Sequence, residues 1–134
     1  MRSVLLLATA IGMLTPAIAF ATQRHVPRGP RADRFWADLG PQVVADQWAD
    51  EAVVCGLRSR QWATNINNQT FDYAIRIANN LWGSDTARIR LNMKTLDRVQ
   101  AGSRGMAQDA PAAECLALQT NGSLPRLDEM ESGD

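Results

Sequence analysis

Three carboxylates, two cysteines and one histidine are the groups in this chain that could do chemistry. Asp46 and Asp50 stand one helical turn apart, with Glu51 beside them and Trp48 between. Two carboxylates next to an aromatic could divide the acid and base work of glycan cleavage. Helical spacing produces such pairs constantly. Acids also suit the positive end of a helix dipole, so the expectation here is a solvated helix flank. A small envelope hydrolase using Asp46 and Asp50 is the enzymatic alternative.

His25 is the only histidine, and it lies among prolines and a glycine. A catalytic base needs fixed geometry within hydrogen-bond reach of its proton, which such a segment does not supply. No CxxC, HxxxH or CxxCH spacing occurs, so neither a zinc site nor covalent haem attachment is expected. The Gly102-Ser103-Arg104-Gly105 stretch lacks the preceding strand and the Lys-Ser/Thr of a phosphate-cradling loop. We expect no catalytic residues, no metal and no cofactor.

Cys55 and Cys115 are better explained by where the chain goes. Met1-Arg2-Ser3 opens it with a positive charge, and Val4–Leu14 is an apolar run. Thr15-Pro16 ends the run, and the small-x-small sites Ala17-Ile18-Ala19 and Ala19-Phe20-Ala21 follow. This is the layout of a secretory signal peptide, residues 1–21, cleaved near Ala21. The run falls well short of the roughly 20 residues that span a bilayer, so no stable membrane insertion is expected after cleavage. The expected location is periplasmic or secreted. Two cysteines in an exported chain favour one disulfide, closing a loop of about 61 residues.

The chain carries 14 basic and 14 acidic residues. Losing Arg2 leaves 13 against 14, a net charge near −1. That balance gives no general attraction to nucleic acid, and none is expected as a partner.

The elements that must position these groups read as helices. Residues 22–40 form a basic arm, partly disordered, with Pro27, Gly29 and Pro30 opposing regular structure. A short helical turn at Phe35–Leu39 ends at Gly40. The helical domain spans 41–134. Pro41 suits the start of a first helix over 41–64. Its stripe is Val44, Trp48, Ala52, Cys55, Ser59, Trp62 and Ile66. Asn65, Asn67 and Asn68 predict a turn. A second helix follows over 69–82, ended by Gly83. Ser84 or Asp85 caps a third over 85–101, ended by Gly102. Residues 87–95 also alternate like a strand, but the apolar pattern continues through Leu96 and Val99. A fourth helix covers 110–119, Asn121-Gly122 turns, and a short last helix opens at Ser123-Leu124-Pro125. The fold class is all-α: a small bundle of about four helices stapled by one disulfide, behind a flexible basic arm.

Two places are candidates for partner contact. Arg34, Phe35 and Trp36 put an aromatic pair beside a cation in the arm, although Trp36 could also fold back over the first helix as a lid. Arg88, Arg90, Lys94 and Arg98 gather basic charge on the third helix; as a plain alternative they are simply its wet face. Either could hold a protein or an anionic envelope polymer. The exported helical layout, with Cys55 in an early helix and Cys115 in a late one, resembles small periplasmic chaperones of the acid-stress type. That resemblance implies a holdase that exposes apolar surface in acid. The leading expectation remains a non-enzymatic exported protein that binds another macromolecule.

Overall fold

The computed structural model describes residues 28–133. The expected signal peptide and the first part of the arm lie outside them. Five helices follow in order: α1 Pro30–Val54, α2 Arg60–Trp82, α3 Thr86–Ala107, α4 Ala112–Thr120 and α5 Ser123–Ser132. The described chain is all-helical, without strands. The long helices α1, α2 and α3 pack on one another, and α4 and α5 close over one end of α1 and α2. No described helix is long and apolar enough to cross a membrane.

Helix α1 differs most from expectation. It begins at Pro30 and runs through Gly40 and Pro41, so the second half of the expected arm is helix. Proline favours a first helical position because its missing N–H had no partner there anyway. Pro41 removes one interior hydrogen bond. Tertiary packing outweighs that loss, because Ala32, Phe35, Leu39, Val43, Asp46 and Asp50 recur at spacings of 3, 4, 4, 3 and 4, and all are buried. That stripe crosses the proline without changing period.

The expected 41–64 helix is instead broken after Val54. Gly56, with φ +74°, occupies the left-handed position just past the helix end. Its N–H bonds the Val53 carbonyl at 3.0 Å, and the Leu57 N–H bonds Ala52 at 2.8 Å. This is the Schellman pattern. Gly56 is therefore a terminator, not a weak interior residue. Ser59 restarts the chain: its hydroxyl caps α2 by accepting from the Trp62 N–H at 3.1 Å.

Asn65, Asn67 and Asn68 lie inside α2 rather than in a turn. The buried positions Trp62, Ile66, Thr70, Ala74, Ala78 and Trp82 recur every four residues across them. Burial of that face outweighs the local turn preference of asparagine. Gly83 ends α2 and the Asp85 carboxylate caps α3, as the sequence predicts. Helix α3 passes Gly102 and continues to Ala107, since Ser103 and Ala107 extend its buried row.

Cys55 and Cys115 form the disulfide, with Cα atoms 5.6 Å apart. It joins the end of α1 to α4, a nine-residue helix in which Leu118 alone is buried. A second clamp holds α5. Arg58 makes a two-pronged pair with Asp128, at 2.9 and 2.7 Å, and Asp128 also accepts the Trp62 indole N–H at 2.8 Å.

Converting both cysteines to alanine should lower the unfolding free energy by up to about 4 kcal/mol through loss of loop closure. Ser59→Ala should cost about 1 kcal/mol through loss of the cap. Urea denaturation measures both, and the disulfide effect should be the larger.

Candidate functional site

The hydrophobic interior has two parts. Phe35, Leu39, Ala78, Trp82 and Leu96 belong to one; Ala49, Trp62, Ile66, Leu118 and Leu127 belong to the other. Asp46 lies between them and is 1% exposed. One carboxylate oxygen accepts from Thr70 of α2 at 2.8 Å, the other from Gln100 of α3 at 2.9 Å. The Gln100 amide also donates to the Asn67 carbonyl at 3.1 Å. One turn along α1, fully buried Asp50 accepts from Arg60 at 2.9 Å and, weakly, from Ser103 at 3.4 Å. Glu51 is buried beside it and meets Glu114 of α4.

The expected solvated flank is thus an interior polar layer. The stripe through Trp48 misplaces it, because the buried row of α1 runs through Asp46 and Asp50 themselves. Trp48 is only half-buried, at the edge of the second core. Both oxygens of each aspartate already take protein donors. That arrangement joins helices; it does not present an acid and a base to a substrate. Among the described residues, no group of three His, Cys, Asp or Glu is placed to hold a metal ion.

Burial governs the charges of this layer, because a desolvated carboxylate favours its neutral form. It pushes Asp46 up to about 6, against the pull of the Gln100, Asn67 and Thr70 side chains. It raises Asp50 as well, against the Arg60 guanidinium. Glu51 rises to about 7, from burial first and then from the Glu114 charge. Asp128 goes the other way, lowered chiefly by its hydrogen bonds from Arg58.

The expected surface contacts divide. Phe35 is fully buried and packs against Trp82, with ring centroids 5.5 Å apart. It is core, not a partner contact. Trp36 is half-buried and reaches α3, where its indole N–H donates to Asn92 at 3.2 Å. It spans two helices and is no lid over its own. Arg34 is exposed and lies 3.9 Å from Asp38.

Arg88, Arg90, Lys94 and Arg98 are all exposed, yet they do not form one patch. Arg90, Lys94 and Arg98, at steps of four, share the outer side of α3. Arg88 lines a hollow of about 300 Å³ with Arg28 and Arg31, beside Asp85 and the start of α1. The sequence places Arg28 and Arg31 in a basic arm but does not show them meeting Arg88, because that proximity comes from α1 packing on α3. The ion pairs among the described residues are Arg34–Asp38, Arg58–Asp128 and Arg60–Asp50. None involves the basic residues of α3.

No protein-family model, curated protein or solved structure matches this chain.

A raised folded-state pKa makes the folded protein bind protons more tightly than the unfolded chain. Asp46 and Glu51 should therefore cost stability as pH rises from about 4, the unfolded value, through 6 to 7. The Asp128 contribution runs oppositely and is lost as pH falls below about 4. Melting temperature should peak near pH 4–5 and decline toward pH 8. Asp46→Asn should flatten that decline, and thermal melts across the range would detect it. An unaltered slope would remove Asp46 as its source.

Proposed function

We propose that this chain is an exported, non-enzymatic helical protein that binds an anionic macromolecule outside the cytoplasm through the outer face of α3. The observation that carries the reading is the row Arg90, Lys94 and Arg98: solvent-facing cations with no carboxylate in ion-pair range among the described residues. Helix α3 holds five basic residues and one acidic residue, Asp97. Helix α5 holds one basic residue and three acidic ones. A nearly neutral chain thus carries unequal charge on these two helices. A local positive field of this kind attracts a polyanion or an acidic protein surface even when net charge does not.

Export is supported by the layout of residues 1–21 and by the disulfide, which persists in oxidising compartments. The holdase alternative fits less well. A chaperone that opens in acid needs stability to fall on mild acidification, and the buried carboxylates push the other way.

The mature chain should be retained on an immobilised sulfated or phosphorylated polysaccharide at low ionic strength and released by salt, as screening predicts. Reversing Arg90, Lys94 and Arg98 together to glutamate should weaken retention roughly tenfold or more, whereas Arg34→Glu should leave it nearly unchanged. These positions are exposed, so the fold should survive. Equal retention of the triple variant and the parent would sink the proposal.

A further inference from the structure

Helix α4 is the least committed element of the bundle. It has nine residues, short of the roughly 12 below which an isolated helix is marginal in water. Its N-terminus has no side-chain cap, and Leu118 is its one buried residue. It packs mainly on α1 and α5, yet its Leu116 is 60% exposed.

Both neighbours in the chain are anchored without it. Leu96 and Val99 commit α3 to the first core, and Asp128 of α5 accepts from Arg58 and Trp62. Residues 108–111 and 121–122 are non-helical joints on either side of α4, and Gly122 takes the left-handed conformation, φ +81°. Helix α4 can therefore swing away while α3 and α5 stay in place.

The charged contact beneath α4 opposes docking. Glu114 meets Glu51, which is 8% exposed, and Asp50 adds a further negative charge there. Arg60 of α2 and Arg104 of α3 bring positive charge to Asp50. Two carboxylates in a poorly solvated place repel once both are ionised. Against that repulsion stand Leu118 and the Cys55–Cys115 bond. Each cysteine is partly exposed, so a thiolate can reach the sulfurs.

We propose that the Cys55–Cys115 bond is a redox latch closed against the Glu51–Glu114 repulsion: reduction by a dithiol releases α4 alone and uncovers the side of the second core that Leu118 completes, and oxidation closes it again. The dithiol's thiolate attacks one cysteine sulfur and forms a mixed disulfide, while the other cysteine leaves as a thiolate and takes up a proton. The dithiol's second thiolate then displaces the remaining cysteine, which is protonated in turn. Two electrons and two protons pass to Cys55 and Cys115, and the dithiol becomes a disulfide. The latch is separate from the polyanion face on α3.

Hydrogen exchange followed by mass spectrometry tests this on the mature protein, with and without dithiothreitol. The pH is 8, above the value of about 7 to which burial and Glu114 push Glu51. With the bond intact, the amides of 112–120 should be protected. On reduction they should exchange about tenfold faster or more, whereas the buried stretches of α1, α2 and α3 keep their protection. Joint Cys55→Ser and Cys115→Ser substitution should reproduce the reduced pattern without reductant. Glu114→Gln, at an exposed position, removes the repulsion and should return part of the α4 protection in the reduced protein. Four results would overturn the proposal: α4 protection that survives reduction, protection lost throughout the bundle, α4 unprotected with the bond intact, or a reduced Glu114→Gln protein that exchanges as fast as the reduced parent.

Discussion

The packing of the three long helices depends on the Asp46 carboxylate. It is buried between two apolar cores, and its two oxygens take one donor each from α2 and α3. A buried charge is costly unless its hydrogen bonds are complete. Completeness here requires a particular register. Sliding α2 by one turn would present Ile66 or Ala74 in place of Thr70, and neither side chain can donate. Apolar burial around this layer tolerates several alignments, since alanines and leucines pack wherever volume allows. The polar layer does not. It gives up stability at neutral pH in return for one arrangement of helices, the best-attested use of buried polar groups.

The rest of the architecture follows from that alignment. With α1, α2 and α3 in register, Trp36 reaches Asn92 and Phe35 reaches Trp82. The short α4 buries too little to hold itself, with Leu118 its one buried residue, and the Cys55–Cys115 bond fixes it to the end of α1. Helix α5 is held by Asp128, which gathers Arg58 and Trp62. The charged outer side of α3 faces solvent because the opposite side, through Leu96, Val99 and Gln100, is committed to the interior.

Much of this is legible in local signals. Gly83 and Asp85 mark the α2–α3 junction through caps that involve only neighbouring residues. The Asn121-Gly122 turn is equally local, with Gly122 at φ +81°. Gly40, Pro41 and the asparagines of α2 are misleading for one reason. Their intrinsic preferences amount to about 1 kcal/mol for glycine or asparagine and about 3 for an interior proline. A buried stripe of six residues outweighs them. The stripe itself was available in the sequence for α1, but only to a reader who admits aspartates among the buried residues. Composition argues against that, because an aspartate is rarely buried without partners, and its partners come from other helices.

Local signals suffice for the helical class, the pairing of the two cysteines and the α2–α3 and α4–α5 junctions. Each rests on short-range chemistry: apolar period, capping, turn residues, or a count of two. Long-range packing makes Asp46, Asp50 and Glu51 interior and Phe35 core, and parts Arg88 from Arg90, Lys94 and Arg98 to join Arg28 and Arg31. Each depends on which residues distant in the chain meet once three helices share one register.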